Sequence, residues 1–294
     1  MDRAFTFSSA GYSNYLNLGC GHRFHPAWTN VDFVSTAEGV IAADLAKSIP
    51  FPDASFDVVY HSHLLEHFSR SDAEPFLREC CRVLRPNGIL RVAVPDLEQI
   101  VRMYLTALEK VSEGSVEWAN NYEWILLEMY DQAVREHAGG EMAVYLSRDH
   151  IPNEEFVFNR CGIEAENIIN HAWYRRQQAQ NLCKQRYHPK RLLGRICRLL
   201  CHWSSWRELL LKVACGSEYE SLQIGRFRMK GEVHRWMYDR YSLLVLLSGC
   251  GLKNIKQQTA AESYIPNWAG FNLDTNPDGT IYKPDSLYIE GIKP

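Results

Sequence analysis

The chain has 294 residues, of which 46% are hydrophobic and 23% are charged, and its formal net charge is -3. This length allows one domain with a large insertion, and the near-neutral balance excludes a protein that binds nucleic acid or membranes through its overall charge. The nine cysteines are an odd number without paired CxxC spacing, which argues against a disulfide framework and a zinc site. No other spacing of acids and histidines signals a metal site.

The location of the protein is expected to be cytoplasmic. No apolar stretch of the kind found in secretory signals follows the first residues, Met1 to Arg3. The longest apolar run, Leu243 to Leu247, is far shorter than the ~20 residues that span a bilayer. The cysteine pattern agrees with a reducing compartment.

Short apolar segments alternate with turn signals and helical stretches from Tyr15 to Pro95. This pattern predicts parallel strands joined by crossover connections. Strands that are covered on both faces are short and apolar, as these segments are. The predicted strands are 15–18, 30–33, 40–43, 56–60 and 89–94.

A helix is predicted over 72–84, where apolar residues recur at helical spacing. It is expected to end at a turn over 85–88, in which Pro86 fixes φ and Gly88 supplies a free φ.

The last part of the chain returns to the same style. Asp239 is the expected N-cap of a helix over 241–248, and strands are predicted at 254–259 and 286–292. Turn-forming residues are dense over 272–279, so the final strand is predicted to be antiparallel.

Residues 97–232 differ from the segments before and after them, because they show long helical patterns and few strand signals. We therefore predict a Rossmann-like α/β fold with a mostly parallel sheet, an antiparallel C-terminal strand and a large helical insertion. The expected division is 1–96 for the first part of the sheet domain, 97–232 for the insertion and 233–294 for the completion of the sheet. The insertion is expected to cover the ligand crevice and bind a substrate.

A glycine turn and an acidic residue indicate a nucleoside site. Gly19 and Gly21 follow the first strand, and Asp32 ends the second. Glycines let the backbone approach a ligand closely, and a carboxylate on the adjacent strand can accept both ribose hydroxyl protons. A pyrophosphate site would need a third glycine and a long helix after the turn. Arg23 and Pro26 stand there instead, which argues against a dinucleotide.

Six segments, taken in order, resemble a class I S-adenosylmethionine (SAM)-dependent methyltransferase of the type 11 branch. The resemblance covers 15–95 strongly and 233–292 more loosely, and the insertion lies outside it. Together these motifs are specific, although each alone is not. The segments are Leu16 to Gly21, Val31-Asp32, Ala43 to Leu45, Phe51 to Tyr60, Leu64 to His67 and Arg82 to Gly88.

The resemblance implies SAM as the cofactor and methyl transfer as the reaction. In such a protein Gly19, Cys20 and Gly21 would pass under the methionine and ribose portions, and Asp32 would hold the ribose hydroxyls. Asn17 departs from the family pattern, which often has Asp at this position.

The resemblance also implies contacts at the two ends of the cofactor. Asp44 and Leu45 would meet the adenine, the first with its carboxylate and the second with its backbone amide. His61 and Ser62, leaving the fourth strand, would flank the methionine end.

A hydroxyl acceptor has to lose its proton, and imidazole is the natural base at neutral pH. The candidates are His63 and His67 beside the cofactor strand, and His234 where the chain returns from the insertion. We expect His234 as the catalytic base, with His63 second. The alternative is that these histidines are hydrogen-bonded scaffold and that Glu66-His67 only fixes the following helix.

A basic stretch lies at 173–213, with ten Lys or Arg against one acid, Glu208, and with Leu and Trp interleaved. This pattern is typical of a helix on an anionic membrane, so peripheral membrane contact is one expectation. The alternative is that the apolar residues pack on the core while the charges form a solvated face. Nucleic acid is an unlikely partner, because no recognised binding motif accompanies the charge.

The sequence therefore predicts a SAM-dependent methyltransferase that acts on a small-molecule, saccharide or lipid-linked acceptor, most readily at oxygen. The alternative is a SAM-binding protein without transferase activity that has a regulatory or assembly role.

Overall fold

The computed structural model describes residues 14–184 and 203–294. Its strands are β1 Tyr15–Leu18, β2 Thr29–Asp32, β3 Val40–Ala42, β4 Phe56–Ser62, β5 Leu84–Pro95, β6 Lys253–Gln258 and β7 Ser286–Ile292. They form one seven-stranded sheet in the order β3-β2-β1-β4-β5-β7-β6. Strands β1 to β5 are parallel, and β7 is antiparallel to both β5 and β6. The predicted fold class and the antiparallel final strand are confirmed.

The described helices are α1 Arg70–Val83, α2 Leu97–Ser112, α3 Trp118–Val134, α4 Gly140–Leu146, α5 Glu154–Cys161, α6 Ile163–Lys184, α7 Trp203–Cys215, α8 Tyr219–Arg228 and α9 Arg240–Gly249. Helices α2 to α8 lie between β5 and β6 in the chain, in the range expected to be helical. Among the helices of the described ranges, none combines the length and the apolar content that a membrane crossing requires. The three-part domain division stays a prediction.

The sheet is covered on both faces. On one face α1 and α9 pack against it, with Phe76 and Leu247 among the residues of the largest core cluster. On the other face an aromatic cluster contains Trp28, Tyr60 and Trp268, and the ring centroids of Tyr60 and Trp268 are 5.0 Å apart. Because both faces are filled, a ligand has room mainly at the carboxyl ends of the parallel strands.

The segment before β5 differs from its prediction. The strand begins at Leu84, which pairs with Phe56, and the ladder resumes with Ile89 opposite Val58. Residues 85–88 therefore form a bulge within the strand and not a turn before it.

The glycine of this bulge has a different role from the one predicted. Asn87 adopts the positive φ of 64°, whereas Gly88 does not. A Cβ on Gly88 would lie 2.8 Å from the carbonyl oxygen of Arg85 and 3.0 Å from that of Asp57. Close backbone packing therefore explains the glycine, and backbone freedom does not.

The helix ends follow local capping chemistry. Helix α1 starts before the predicted residue 72, because Ser69 caps it by accepting from Asp72 N at 3.2 Å. Helix α9 is capped by Asp239 as predicted, in a capping box with Ser242.

Replacing Gly88 by Ala tests the packing of the bulge. Gly88→Ala is expected to lower the free energy of unfolding by about 1–3 kcal/mol, because backbone oxygens cannot move aside as a side chain would. Gly249→Ala is the matched control, since a Cβ there meets no described residue within 4 Å, and it should leave stability unchanged or raise it by up to about 1 kcal/mol. Urea unfolding measures both. Equal stability of the two variants would contradict the steric explanation.

Candidate active site

The glycine turn joins the ends of β1 and β2. Gly19 and Gly21 have φ values of 64° and 52°, which L side chains rarely adopt. The amides of Gly19 and Cys20 both donate to the carbonyl oxygen of Val31, at 2.8 and 3.2 Å. A Cβ on Gly19 would lie 2.9 Å from Cδ1 of Leu64, whereas one on Gly21 would meet no atom of residues 14–184 or 203–294 within 4 Å. Gly19 thus permits close packing, and the space over Gly21 is open to a ligand.

Asp32 faces this turn from the end of β2. Its Oδ2 accepts from Gly21 N at 2.7 Å, and its Oδ1 accepts from Phe33 N at 2.6 Å. Each carboxylate oxygen can accept further bonds, so the group is oriented and still able to bind hydroxyls. Phe33 is 71% exposed and offers an apolar ring beside this carboxylate. These residues fit a nucleoside such as that of SAM.

Asn17, the departure from the family pattern, has a structural role. Its side chain is buried, and Nδ2 donates to the carbonyl oxygen of Arg23 at 3.1 Å and to Oδ1 of Asn30 at 3.2 Å. A carboxylate could not donate these bonds. The side-chain amide of Asn17 therefore connects the turn at Arg23 with Asn30 of β2.

The two residues predicted to meet the adenine lie just after β3. Asp44 pairs with Lys47 at 3.0 Å, and this hydrogen bond lowers the pKa of its carboxyl. The Leu45 side chain is buried in the main core cluster. Leu45 is therefore placed to offer a ligand its backbone and not its side chain.

His61 and Ser62 still belong to β4, so the chain leaves the strand later than predicted. The His61 ring is fully buried and lies 5.3 Å from the Phe76 ring of α1, between ring centroids. Neither of its nitrogens has a hydrogen-bond partner among the described residues, and burial lowers the pKa of His61 to about 4. His61 is thus a neutral core residue in this arrangement, and Ser62 ends the strand.

His63 is the first residue beyond β4, and it has a positive φ of 50°. Its amide donates to the carbonyl oxygen of Ala93 at 2.9 Å, which continues the ladder with β5. Nε2 lies 2.8 Å from Oγ of Ser286, and Nδ1 lies 3.3 Å from Oε1 of Glu66. Left-handed backbone at a non-glycine residue is strained and concentrates at functional sites.

Glu66 is fully buried on a 3₁₀ turn, Leu65–His67. Its carbonyl oxygen accepts from the amides of Arg235 and Trp236, at 2.7 and 3.2 Å. These bonds bring the chain that returns from the insertion against the turn after β4.

The same bonds bring His234 to the site. Its amide donates to the carbonyl oxygen of Gln132 at 2.9 Å, and its Nε2 lies 3.9 Å from Oε1 of Glu66. The rings of His67 and His234 meet edge to face, with centroids 4.9 Å apart. We call His63, Glu66, His67 and His234 the histidine cluster.

Burial sets the charge state of the cluster. It lowers the pKa of His234 to about 3, so this imidazole is neutral at pH 7. Burial opposes ionisation of Glu66, but the surrounding imidazoles, His63 foremost, hold its pKa at about 2. The cluster therefore contains one ionised carboxylate among imidazoles.

Two residues of this site were missed as site residues from the sequence. The sequence predicts for Glu66 only a role in fixing the following helix. Its spacing of three residues from His63 was the available signal, because residues three apart lie on one side of a 3₁₀ turn. Ser286 opens the last strand and has no local signal, because only the sheet order brings it to His63.

Comparison with known proteins agrees with this geometry. Residues 16–92 match the family model described as a methyltransferase domain. A protein of Mycobacterium tuberculosis strain H37Rv, named as a probable S-adenosylmethionine-dependent methyltransferase, is 47% identical over 57 residues, or 19% of this chain and 20% of that protein. One of the same description from Mycolicibacterium smegmatis is 46% identical over 48 residues, or 16% and 18%. These matches span about a fifth of the relatives' length.

The match over residues 16–92 supports the resemblance to class I methyltransferases of type 11 that the motifs indicate. SAM is the cofactor of this family, as the motifs indicate. Among solved structures, a SAM-dependent methyltransferase from Archaeoglobus fulgidus is 11% identical, with 96% of this chain and 87% of that chain covered and a TM-score of 0.38. The methyltransferase domain thus contains the glycine turn, Asp32 and three members of the histidine cluster, and His234 comes from outside it.

Proposed function

We propose that this chain is a SAM-dependent methyltransferase that methylates an oxygen of a small-molecule, saccharide or lipid-linked acceptor. The observation that carries the proposal is the pairing of His63 with Glu66 at the end of β4, next to the glycine turn. SAM supplies an electrophilic methyl group on a sulfonium sulfur. The protein then has to position a hydroxyl and take its proton.

His63 is oriented to act as the base. The ionised Glu66 favours the proton on Nδ1, which leaves Nε2 as a hydrogen-bond acceptor. Oγ of Ser286 shows that a hydroxyl can lie 2.8 Å from this nitrogen, within the distance that proton transfer needs. An acceptor hydroxyl at this place would lose its proton to Nε2.

His234 was the first choice from sequence, but the geometry favours His63. The His234 side chain is 8% exposed, and with a pKa lowered to about 3 by burial it is a weak base. We therefore assign His63 the proton transfer and His234 a place beside Glu66.

A second proposal concerns a membrane partner. Residues 185–202 of the basic stretch lie outside the described residues, but α7 belongs to it. Leu209, Leu210 and Val213 of α7 are 53%, 63% and 77% exposed, beside the exposed Arg207 and Lys212. Apolar side chains next to cations are complementary to an anionic lipid surface. We therefore propose that α7 lies on the cytosolic face of a membrane.

Asp32→Asn tests the nucleoside site. The amide cannot accept from Gly21 N and bind two ribose hydroxyls as the carboxylate does, so SAM should bind about tenfold more weakly or worse. Glu38→Gln, which neutralises an exposed acid before β3, should bind SAM normally. Isothermal titration calorimetry measures the Kd of each. Unchanged SAM affinity in Asp32→Asn would remove Asp32 from the site.

His63→Gln tests the base. Methyl transfer should fall about 10²- to 10⁴-fold, with SAM affinity unchanged, while His171→Ala on the exposed surface of α6 should behave as wild type. The measurement is S-adenosylhomocysteine formation with fractionated cell extract, followed by mass spectrometry of the product.

Two results would oppose this assignment. If His234→Gln lost activity while His63→Gln kept it, the order of the two bases would be reversed. If wild type bound SAM but formed no S-adenosylhomocysteine with any fraction, the alternative of a regulatory or assembly protein without transferase activity would be favoured.

A double variant, Leu209→Glu with Val213→Glu, tests membrane contact. Wild type should co-sediment with vesicles of equal parts phosphatidylcholine and phosphatidylglycerol at low salt, and less so at high salt. The double variant should bind about tenfold less, whereas Val116→Glu, which changes a residue that is 85% exposed outside this helix, should bind normally. Absence of wild-type binding would refute the contact.

A further inference from the structure

We propose that the histidine cluster binds a divalent transition-metal cation such as Zn²⁺, with Glu66, His67 and His234 as its protein ligands. One ligand atom from each residue lies within 4.8 Å of the others. Two imidazoles and one carboxylate form a donor set that suits this class of metal. The site goes beyond the proposed function, because neither cofactor binding nor the base requires it.

The first observation is that Glu66 differs from the other buried acids in its ion-pair partners. The buried acids among the described residues are Glu66, Glu128, Asp131, Asp274 and Glu290. Four of them are paired with a guanidinium: Glu128 with Arg160, Asp131 with Arg135, and both Asp274 and Glu290 with Arg91. Within residues 14–184 and 203–294, Glu66 has only histidines at ion-pair distance.

Among the described residues, this buried carboxylate has no permanently charged partner at ion-pair distance. A buried charge without a charged partner is strongly unfavourable. A bound cation would supply that partner.

Unpartnered polar atoms are the second observation. In the described structure Oε2 of Glu66 is buried without a hydrogen-bond partner, Oε1 has only Nδ1 of His63 within hydrogen-bonding distance, at 3.3 Å, and the phenolic oxygen of Tyr238 is buried without a partner. Buried polar atoms are rarely left without partners, and a missing ion is one of the standard causes.

The backbone holds the ligands in place before a metal arrives. Glu66 and His67 belong to one short turn, and the bonds from Arg235 and Trp236 to the Glu66 carbonyl oxygen fix the return segment. Zinc ligands stand about 3.4 Å apart in a tetrahedron with bonds of about 2.1 Å. Metal binding would bring the ligand atoms from their present spread of up to 4.8 Å to that value.

Three protein ligands leave one coordination position open, as in catalytic zinc sites. Glu66 would then be shared between the cation and His63. If the proposed function also holds, the cation stands beside the proposed base.

The test is metal binding by the full chain, without SAM or an acceptor. Protein stripped with a chelator is dialysed against Zn²⁺, and bound metal is counted by inductively coupled plasma mass spectrometry. Wild type and the surface variant His171→Ala should bind one equivalent with equal affinity. Changes to residues outside the ligand set typically weaken metal binding about 10- to 100-fold. His67→Ala and His234→Ala should weaken it by more than that.

Cobalt(II) gives a readout on wild type alone, in case a variant does not fold. Bound Co²⁺ should show the visible absorption of a four-coordinate site, without the near-ultraviolet band of thiolate ligation that cysteines would give. Zinc should also raise the melting temperature. Absence of stoichiometric binding, a thiolate band, or full binding by folded His67→Ala and His234→Ala would each overturn the site. Because no turnover is measured, these outcomes are independent of the methyltransferase proposal.

Discussion

The carbonyl oxygen of Glu66 is the acceptor on which the arrangement of the site depends. It receives the amides of Arg235 and Trp236, so the turn after β4 and the chain returning from the insertion are held in one place. The side chain of the same residue lies between His63 and His234. One residue thereby connects the sheet edge with the insertion through its backbone and organises the imidazoles through its carboxylate.

A strained residue persists at the end of β4 because its surroundings fix it. A non-glycine residue in the left-handed region costs about 1–3 kcal/mol. His63 is fixed by the hydrogen bond from its amide to the carbonyl oxygen of Ala93 and by the contact of its ring with the hydroxyl of Ser286. Nδ1 of the same imidazole lies 3.3 Å from Oε1 of Glu66, and the proposed role of His63 as a base depends on this contact.

Local patterns were sufficient for most of the fold, and long-range pairing accounts for what they missed. The strand 286–292 and the Asp239 cap were predicted because alternation and capping chemistry act within a few residues. By contrast, 272–279 was interpreted as a simple connection, although Asp274 is buried there and pairs with Arg91 at 2.8 Å. Turn composition indicates that a chain bends, but not which buried group it reaches.

The same limit applies within the site. The motifs located the glycine turn and Asp32, whose partners are close in sequence. Whether His63 or His234 is suited to be a base depends on how deeply each ring is buried. That burial is set by the packing of the insertion, which the local sequence does not show.

The partners of the buried acids give a physical reason for histidines around Glu66. A guanidinium such as that of Arg91 is permanently charged, and with several hydrogen bonds it fixes a carboxylate in one geometry. An imidazole carries no permanent charge, and it offers a carboxylate one nitrogen where a guanidinium offers several N–H groups. An arginine at His67 or His234 would neutralise Glu66 permanently and leave no role for His63 beside it. With histidines as neighbours, the carboxylate stays available both to the proposed base and to the proposed cation, which a purely structural ion pair would prevent.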